Sequence, residues 1–240
     1  MASKELFSLS YKQSHVLRQL PIMIKEAIYP TGGKYLRSWQ KRAFDIAGAL
    51  AIAPFAAMGI GLGALAIKLD DGGPVFFTLN VPGPKGSVIP QYKLRTMRPE
   101  STTIADALNR KHDEQHRVTR VGKLLRQWSI DELPQVMNVL KGEMHLVGNR
   151  PNLPDRLHAW SEDDFLQEDY FRWAHASAVN KPGCANVGIL HGRAHLDETE
   201  DGRKRRLRLE RYFLEHNSLA MDLKVIIKNI GAVIKRDGAY

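Results

Sequence analysis

The stretch IAGALAIAPFAAMGIGLGALAI, Ile46 to Ile67, decides the fold: 22 residues carry no charge, and a straight helix of that length reaches about 33 Å, the span of a bilayer core. Pro54 falls in its first half, where it deletes a backbone hydrogen bond and bends a helix. Cations flank both ends, Lys34, Arg37, Lys41 and Arg42 before it and Lys68, Lys85, Lys93, Arg95 and Arg98 after it. The positive-inside tendency therefore draws both ends toward the cytoplasm. A segment that enters the membrane, bends near Pro54 and returns satisfies both observations, and Gly59, Gly61 and Gly63 would let its two arms approach. The plain alternative is the core helix of a soluble protein. The run Gly59 to Ala64 also fits G-x-G-x-x-A, but an Ala- and Gly-rich helix produces that pattern by chance, and no acid follows on a clear second strand.

Around this segment, 240 residues suffice for one core of catalytic size with a small appendage. Lys and Arg exceed Asp and Glu by 35 − 26 = 9, which calls for an anionic partner: nucleic acid, acidic headgroups or phosphorylated substrates. No recognition motif supports nucleic acid. The single Cys184 excludes an internal disulfide and suits a reducing compartment. The first forty residues are polar and mixed, so no cleaved signal is expected there.

Beyond the apolar run, Leu69 to Pro74 reads as a turn, Val75 to Thr78 as a short strand, and Val81 to Gly86 as another turn. Tyr92 to Met97 alternates as a strand does, placing Lys93 and Arg95 on one face, where two cations can grip a diphosphate or simply meet solvent. His112 and His116 are four apart but have no evident third metal ligand, and His191 and His195, also four apart, are separated by Gly192 in a loop context that does not suit a metal site. Val118 to Gln127 looks helical, with Arg120, Lys123 and Arg126 available to phosphate, and a later helix ends at Lys141-Gly142. In the last third, Arg203 to Glu215 forms a basic helix. Ser218 to Lys235 spaces Leu219, Leu223, Ile226, Ile227, Ile230 and Ile234 on one stripe, the pattern of a packing helix capped by Ser218.

Between these lies Ser129-Ile130-Asp131-Glu132-Leu133-Pro134-Gln135, two adjacent carboxylates at a helix start. Adjacent helical residues point about 100° apart, so the two acids do different jobs. Ser129 and Glu132 fit a capping box, which would reduce Glu132 to closing a helix end. Pro134 opposes that, since it would then sit where an N–H is needed; a helix begun at Asp131 puts it harmlessly in the first turn. Spacing alone leaves both readings open.

Taken together, KRAFDIAGALAIAP, LDDGGPVFF, YKLRTM, VTRVGKLLRQWSIDELPQVMNVLKGEMHLVGNRP, KPG, HGR and NSLAMDLKVIIKNI resemble the bacterial sugar transferase family, the monotopic polyprenyl-phosphate phosphoglycosyl transferases, from Lys41 to about Ile234. The resemblance implies a mostly helical α+β, membrane-associated monotopic fold: a bent re-entrant helix with a small strand element packed with surface helices. The expected layout is an N-terminal amphipathic segment over 1–40, the re-entrant membrane helix over 41–71 and the catalytic domain over 72–240. It implies transfer of a sugar 1-phosphate from a nucleoside diphosphate sugar, a UDP-sugar, to polyprenyl phosphate, initiating exopolysaccharide or other surface-glycan synthesis at the cytoplasmic face of the bacterial inner membrane, in contact with membrane lipids and with room for a homo-oligomer. Asp131 would be the nucleophile, forming an aspartyl-phosphosugar intermediate, with Glu132 placing Mg²⁺ or activating the acceptor phosphate; both acids would hold the metal. Lys93, Arg95, Arg126, Arg150 and Arg193 are the candidate phosphate contacts, and Pro54 the membrane bend. Several positions depart from the family pattern: Asn149 replaces the first proline of a Pro-Arg-Pro, Val81 an arginine, residues 184–190 a Thr-Gly and a later Gln, and Ala53 a serine. The first three bear on the nucleotide or sugar pocket rather than on the acids. A relative impaired in turnover and kept as a membrane-bound binding protein is the alternative.

Overall fold

Ser38 opens the long helix by accepting a hydrogen bond from the Lys41 N–H at 3.2 Å, and helix α1, Trp39–Asp70, then runs unbroken for 32 residues through Pro54. The computed structural model describes residues 33–84, 87–98, 117–150, 180–187 and 200–235. At spacings of four or seven residues, one or two helical turns, α1 turns a position inward: Lys41, Asp45, Ala49, Ala56, Gly63 and Ile67 are buried. The other side carries Leu50, Phe55, Met58, Leu62, Leu65 and Leu69, all exposed. The helix is long and apolar enough to cross a membrane, and only 17% of its most apolar window is buried, unlike the core helix of a soluble protein. Of Gly59, Gly61 and Gly63, two lie against the body of the protein. Gly59 faces the Leu133 side chain and Gly63 faces Leu94 and Leu125, while Gly61 meets open space.

The strand element is an antiparallel hairpin, β1 Phe76–Pro82 with β2 Val88–Leu94, in the register Phe77 to Lys93 and Val81 to Ile89. The first strand thus runs on through Val81 and Pro82, where a turn was expected, and the Gly83 N–H donates to the Ser87 carbonyl at 2.8 Å. Val81 is apolar and fully buried, which is why it extends the strand. Helix α2, Arg120–Gln127, is capped by the Thr119 hydroxyl, which accepts from the Gly122 N–H at 2.8 Å. Gly122 lies against the Thr96 carbonyl so closely that a methyl group there would collide with backbone. A 3₁₀ turn, Ile130–Glu132, leads into helix α3, Gln135–Lys141, which ends at Gly142 in the left-handed conformation (φ 80°). Strand β3, His145–Gly148, pairs in parallel with β4, Gly183–Asn186, a pairing that no alternation in the sequence announces. Helices α4, Glu200–His216, and α5, Leu219–Lys235, complete the α+β arrangement.

The main core lies between α1, the hairpin and α3, formed by Ala49, Ala56, Val81, Ile89, Val136, Val139, Met144 and Leu146. A second core joins Leu36, Val147 and Val187 to Phe213, Leu214 and Val225. Most of the expected packing stripe of α5 points the other way; of its six residues only Ile226 packs against the cores. Leu219, Leu223, Ile227, Ile230 and Ile234 are exposed, and Asp222 and Val225 face the protein. The reason is across the interface: Asp222 is drawn inward by a buried cation on α1.

That cation is Lys41, 0% exposed, whose ammonium lies 2.9 Å from Asp45 and 2.7 Å from Asp222 and donates to the Val147 carbonyl at 3.2 Å. Tyr35 donates to Asp222 at 3.0 Å, and His145 Nδ1 donates to Asp45 at 2.7 Å. Arg42 donates to the Val139 and Leu140 carbonyls at 2.6 and 2.8 Å, closing the end of α3. Lys41 and Arg42, read from the sequence as flanking cations, are therefore spent on internal contacts, because a buried charge survives only with partners.

Candidate active site

Ser129 initiates the site. It sits in the left-handed region (φ 54°), rare for a residue with a side chain, and makes no side-chain cap hydrogen bond, so the capping box does not form. The kink separates α2 from the 3₁₀ turn and turns Asp131 inward, 8% exposed, while Glu132 stays half-buried. Pro134 stands just before α3, where its missing N–H costs nothing.

Strand β2 brings Lys93 to the pair, with its Nζ 2.9 Å from Glu132 Oε1. Arg126, in the last turn of α2, donates through Nε to the Thr96 hydroxyl at 2.8 Å. Burial, and next the charge of Glu132, push the Asp131 carboxyl up to about 6, and Lys93 and Arg126 pull against that rise. A carboxylate raised this far is still ionised at neutral pH and more basic than an ordinary one. It can serve as a nucleophile or exchange a proton near neutrality.

The structure thus brings Asp131, Glu132, Lys93 and Arg126 into one electrostatic neighbourhood. Arg95 lies elsewhere. Strand β2 ends at Leu94, and the buried Arg95 guanidinium forks onto the Asp71 carboxylate and donates to the Pro74 and Met97 carbonyls at 2.6 and 3.2 Å. Those bonds staple the end of α1 to the hairpin, which explains why Arg95 does not share a solvated face with Lys93. Arg150 follows β3 and is exposed, with no described hydrogen bond or ion pair to the acids. Arg193 lies outside the described residues, as do His112, His116, His191 and His195. The Cys184 thiol is pushed up to about 12 by burial and then by Glu132, so it is no nucleophile.

Two carboxylates with oxygen donors suit a hard divalent cation, and their mutual repulsion is the charge such a cation would relieve. Among the described residues no group of three or more His, Cys, Asp or Glu forms. Mg²⁺ does not need one, since it usually takes one or two carboxylates and completes its shell with water and substrate phosphates.

Two neighbours carried no signal in the sequence. Asn138 of α3 donates to the Pro90 carbonyl at 2.7 Å and accepts from the Tyr92 N–H at 3.1 Å, locking α3 to β2 and so the acids to Lys93. Gln135, 1% exposed, lies about one helical turn after Asp131, and its Nε2 has no partner among the described residues.

The family model for bacterial sugar transferases matches residues 36–236. The chain is 35% identical over 203 residues to a UDP-glucose:undecaprenyl-phosphate glucose-1-phosphate transferase of Caulobacter vibrioides, covering 84% of this chain and 72% of that protein. It is 34% identical over 205 residues to an undecaprenyl-phosphate glucose phosphotransferase of Komagataeibacter xylinus, covering 84% of this chain but only 37% of the relative. It is 30% identical over 231 residues to the exopolysaccharide production protein ExoY of Sinorhizobium fredii, covering 89% and 92% of the two chains.

Proposed function

The chain belongs to the bacterial sugar transferase family, and from that premise we propose that it moves a sugar 1-phosphate from a UDP-sugar to polyprenyl phosphate through a covalent intermediate on Asp131. The observation that carries this reading is the buried Asp131 carboxylate beside Glu132, with Lys93 bridging to the second acid at 2.9 Å. An Asp131 oxygen attacks the phosphorus that bears the sugar. The bond from that phosphorus to the bridging oxygen breaks, and nucleoside monophosphate leaves with the electron pair. A polyprenyl phosphate oxygen then attacks the same phosphorus and returns Asp131 as a free carboxylate. Asp131 and Glu132 would hold Mg²⁺, which supplies charge cancellation on the diphosphate. Lys93 places a cation at the pair, and Glu132, less buried than Asp131, is positioned to take a proton from the acceptor.

The substrate pair also explains the apolar surfaces. Polyprenyl phosphate presents its headgroup at the bilayer surface, and the exposed side of α1 would enter the cytoplasmic leaflet of the inner membrane as a re-entrant anchor. The outward stripe of α5, edged by exposed Lys224 and Lys228, would lie in the interface plane with its lysines at the headgroups. Such an enzyme starts a surface glycan such as an exopolysaccharide.

The test is release of nucleoside monophosphate by detergent-solubilised protein with Mg²⁺. Release from a nucleotide sugar should require polyprenyl phosphate for sustained turnover, and Asp131→Asn should abolish it. Full activity in Asp131→Asn would remove Asp131 as the nucleophile.

A further inference from the structure

The backbone is right-handed from Ile130 into α3, with Leu133 at φ −55°, ψ −35° and Pro134 at φ −60°, ψ −18°. The 3₁₀ turn advances about 120° per residue and α3 about 100°, so Asp131, Gln135 and Asn138 fall on one side of the segment, within about 80°. All three are polar and all three are buried. Their partners differ. Asn138 is used up by structure, donating to the Pro90 carbonyl and to Glu143 and accepting from Tyr92. Asp131 is the reacting group. Gln135 lies between them, and its Nε2 is out of contact with solvent and has no acceptor among the described residues.

Buried amide donors are nearly always paired, and an orphan costs about 1–3 kcal/mol. The Asp131 carboxylate lies one turn away, yet the Gln135 amide does not donate to it. The donor thus stands about one turn from the carboxylate and is bonded to no described group. We propose that Gln135 Nε2 donates to a non-bridging oxygen of the phosphoryl group while that group is transferred to and from Asp131. This rests on the phosphoryl-transfer reading above and adds a residue to it. The logic is electrostatic: a fixed, uncharged donor in a dry site gains most where negative charge collects, and it needs no reorganisation when that charge arrives. It also complements the nearby cations, since Lys93 is bound to Glu132 and Arg126 to Thr96. No proton is transferred; the N–H forms a hydrogen bond to the phosphoryl oxygen, and the amide is unchanged after turnover.

Gln135→Leu removes the donor and the orphan together. In the full chain with Mg²⁺, kcat/KM for nucleoside monophosphate release should fall about 100-fold, while the unfolding temperature without substrate holds or rises. If the branched side chain disturbs packing, Gln135→Met keeps the length and gives the same test. The decisive comparison uses a nucleotide sugar in which sulfur replaces a non-bridging oxygen of the sugar-linked phosphate. Sulfur accepts hydrogen bonds poorly, so the intact enzyme should be slowed by it, and the slowing should shrink in the variant. An equal sulfur penalty with and without Gln135, or an unchanged kcat/KM in both variants, overturns the assignment. Absence of release by the unmodified chain on every donor would instead overturn the reading on which it rests.

Discussion

Lys93 Nζ lies 2.9 Å from Glu132 Oε1, which puts the cation of β2 on the second acid and leaves Asp131, the first, more deeply buried beside it. The two acids are thereby made unequal. Glu132 is a paired, half-exposed carboxylate, whereas Asp131 is held up to about 6 by burial and by Glu132.

Lys93→Met should move the acid limb of the pH–rate profile to higher pH, because Lys93 is one of the two cations holding Asp131 down. Activity should therefore fall more at pH 7 than at pH 9. The profile of monophosphate release against pH checks this, and an unmoved limb would show that Lys93 does not act on Asp131.

Release should fall as pH drops through about 6, since Asp131, as the proposed nucleophile, must be ionised. Stability runs the other way. The folded-state value lies above the ordinary 3.8, so the folded protein holds the proton more tightly than the unfolded chain, and stability declines as pH rises from about 4 to about 6. Above that window the ionised Asp131 costs a constant amount, of order 1–3 kcal/mol. Asp131→Asn should thus raise the unfolding temperature at pH 8 and change it little at pH 4, while release is lost at both.

Lys41→Met should be among the most damaging single changes. It strands Asp45 and Asp222, both buried, without their cation, and the expected loss is about 3–5 kcal/mol. Adding Asp222→Asn should restore part of it. Denaturant unfolding of the two variants measures both numbers, and a loss below about 1 kcal/mol would mean that the cluster is not held by charge pairing.

The outward face of α5 should lie in lipid. A polarity-sensitive label on Ile227→Cys, in a chain carrying Cys184→Ala and reconstituted in anionic vesicles, should be quenched by lipid-phase quenchers. The same label on Lys224→Cys should be quenched from water. Aqueous quenching at both positions would place α5 away from the bilayer.

Much of this was legible before any coordinates. The apolar run Ile46 to Ile67 declared a helix able to reach across a bilayer, Gly142 declared the end of α3, and the block from Val118 to Pro151 declared the acid pair and its family. These signals are local. A run of residues sets its own period, its own cap and its own chemistry, whatever it later touches.

Destinations were not legible. The α5 stripe has a helical period in either case, and only Lys41, reaching Asp222 at 2.7 Å from a residue 181 positions away, decides that the apolar side faces out. Arg95 reads like Lys93 in the sequence, but the strand stops at Leu94 and Asp71 takes the guanidinium. Val81 and Pro82 look like a turn until Ile89 and Val88 pair with them. The sequence alone therefore marked the long helices and named the candidates for phosphate chemistry. The tertiary structure decided which charges are spent on the fold and which remain at the site, because a charge's partner is chosen by what lies across the interface, and periodicity carries no record of that.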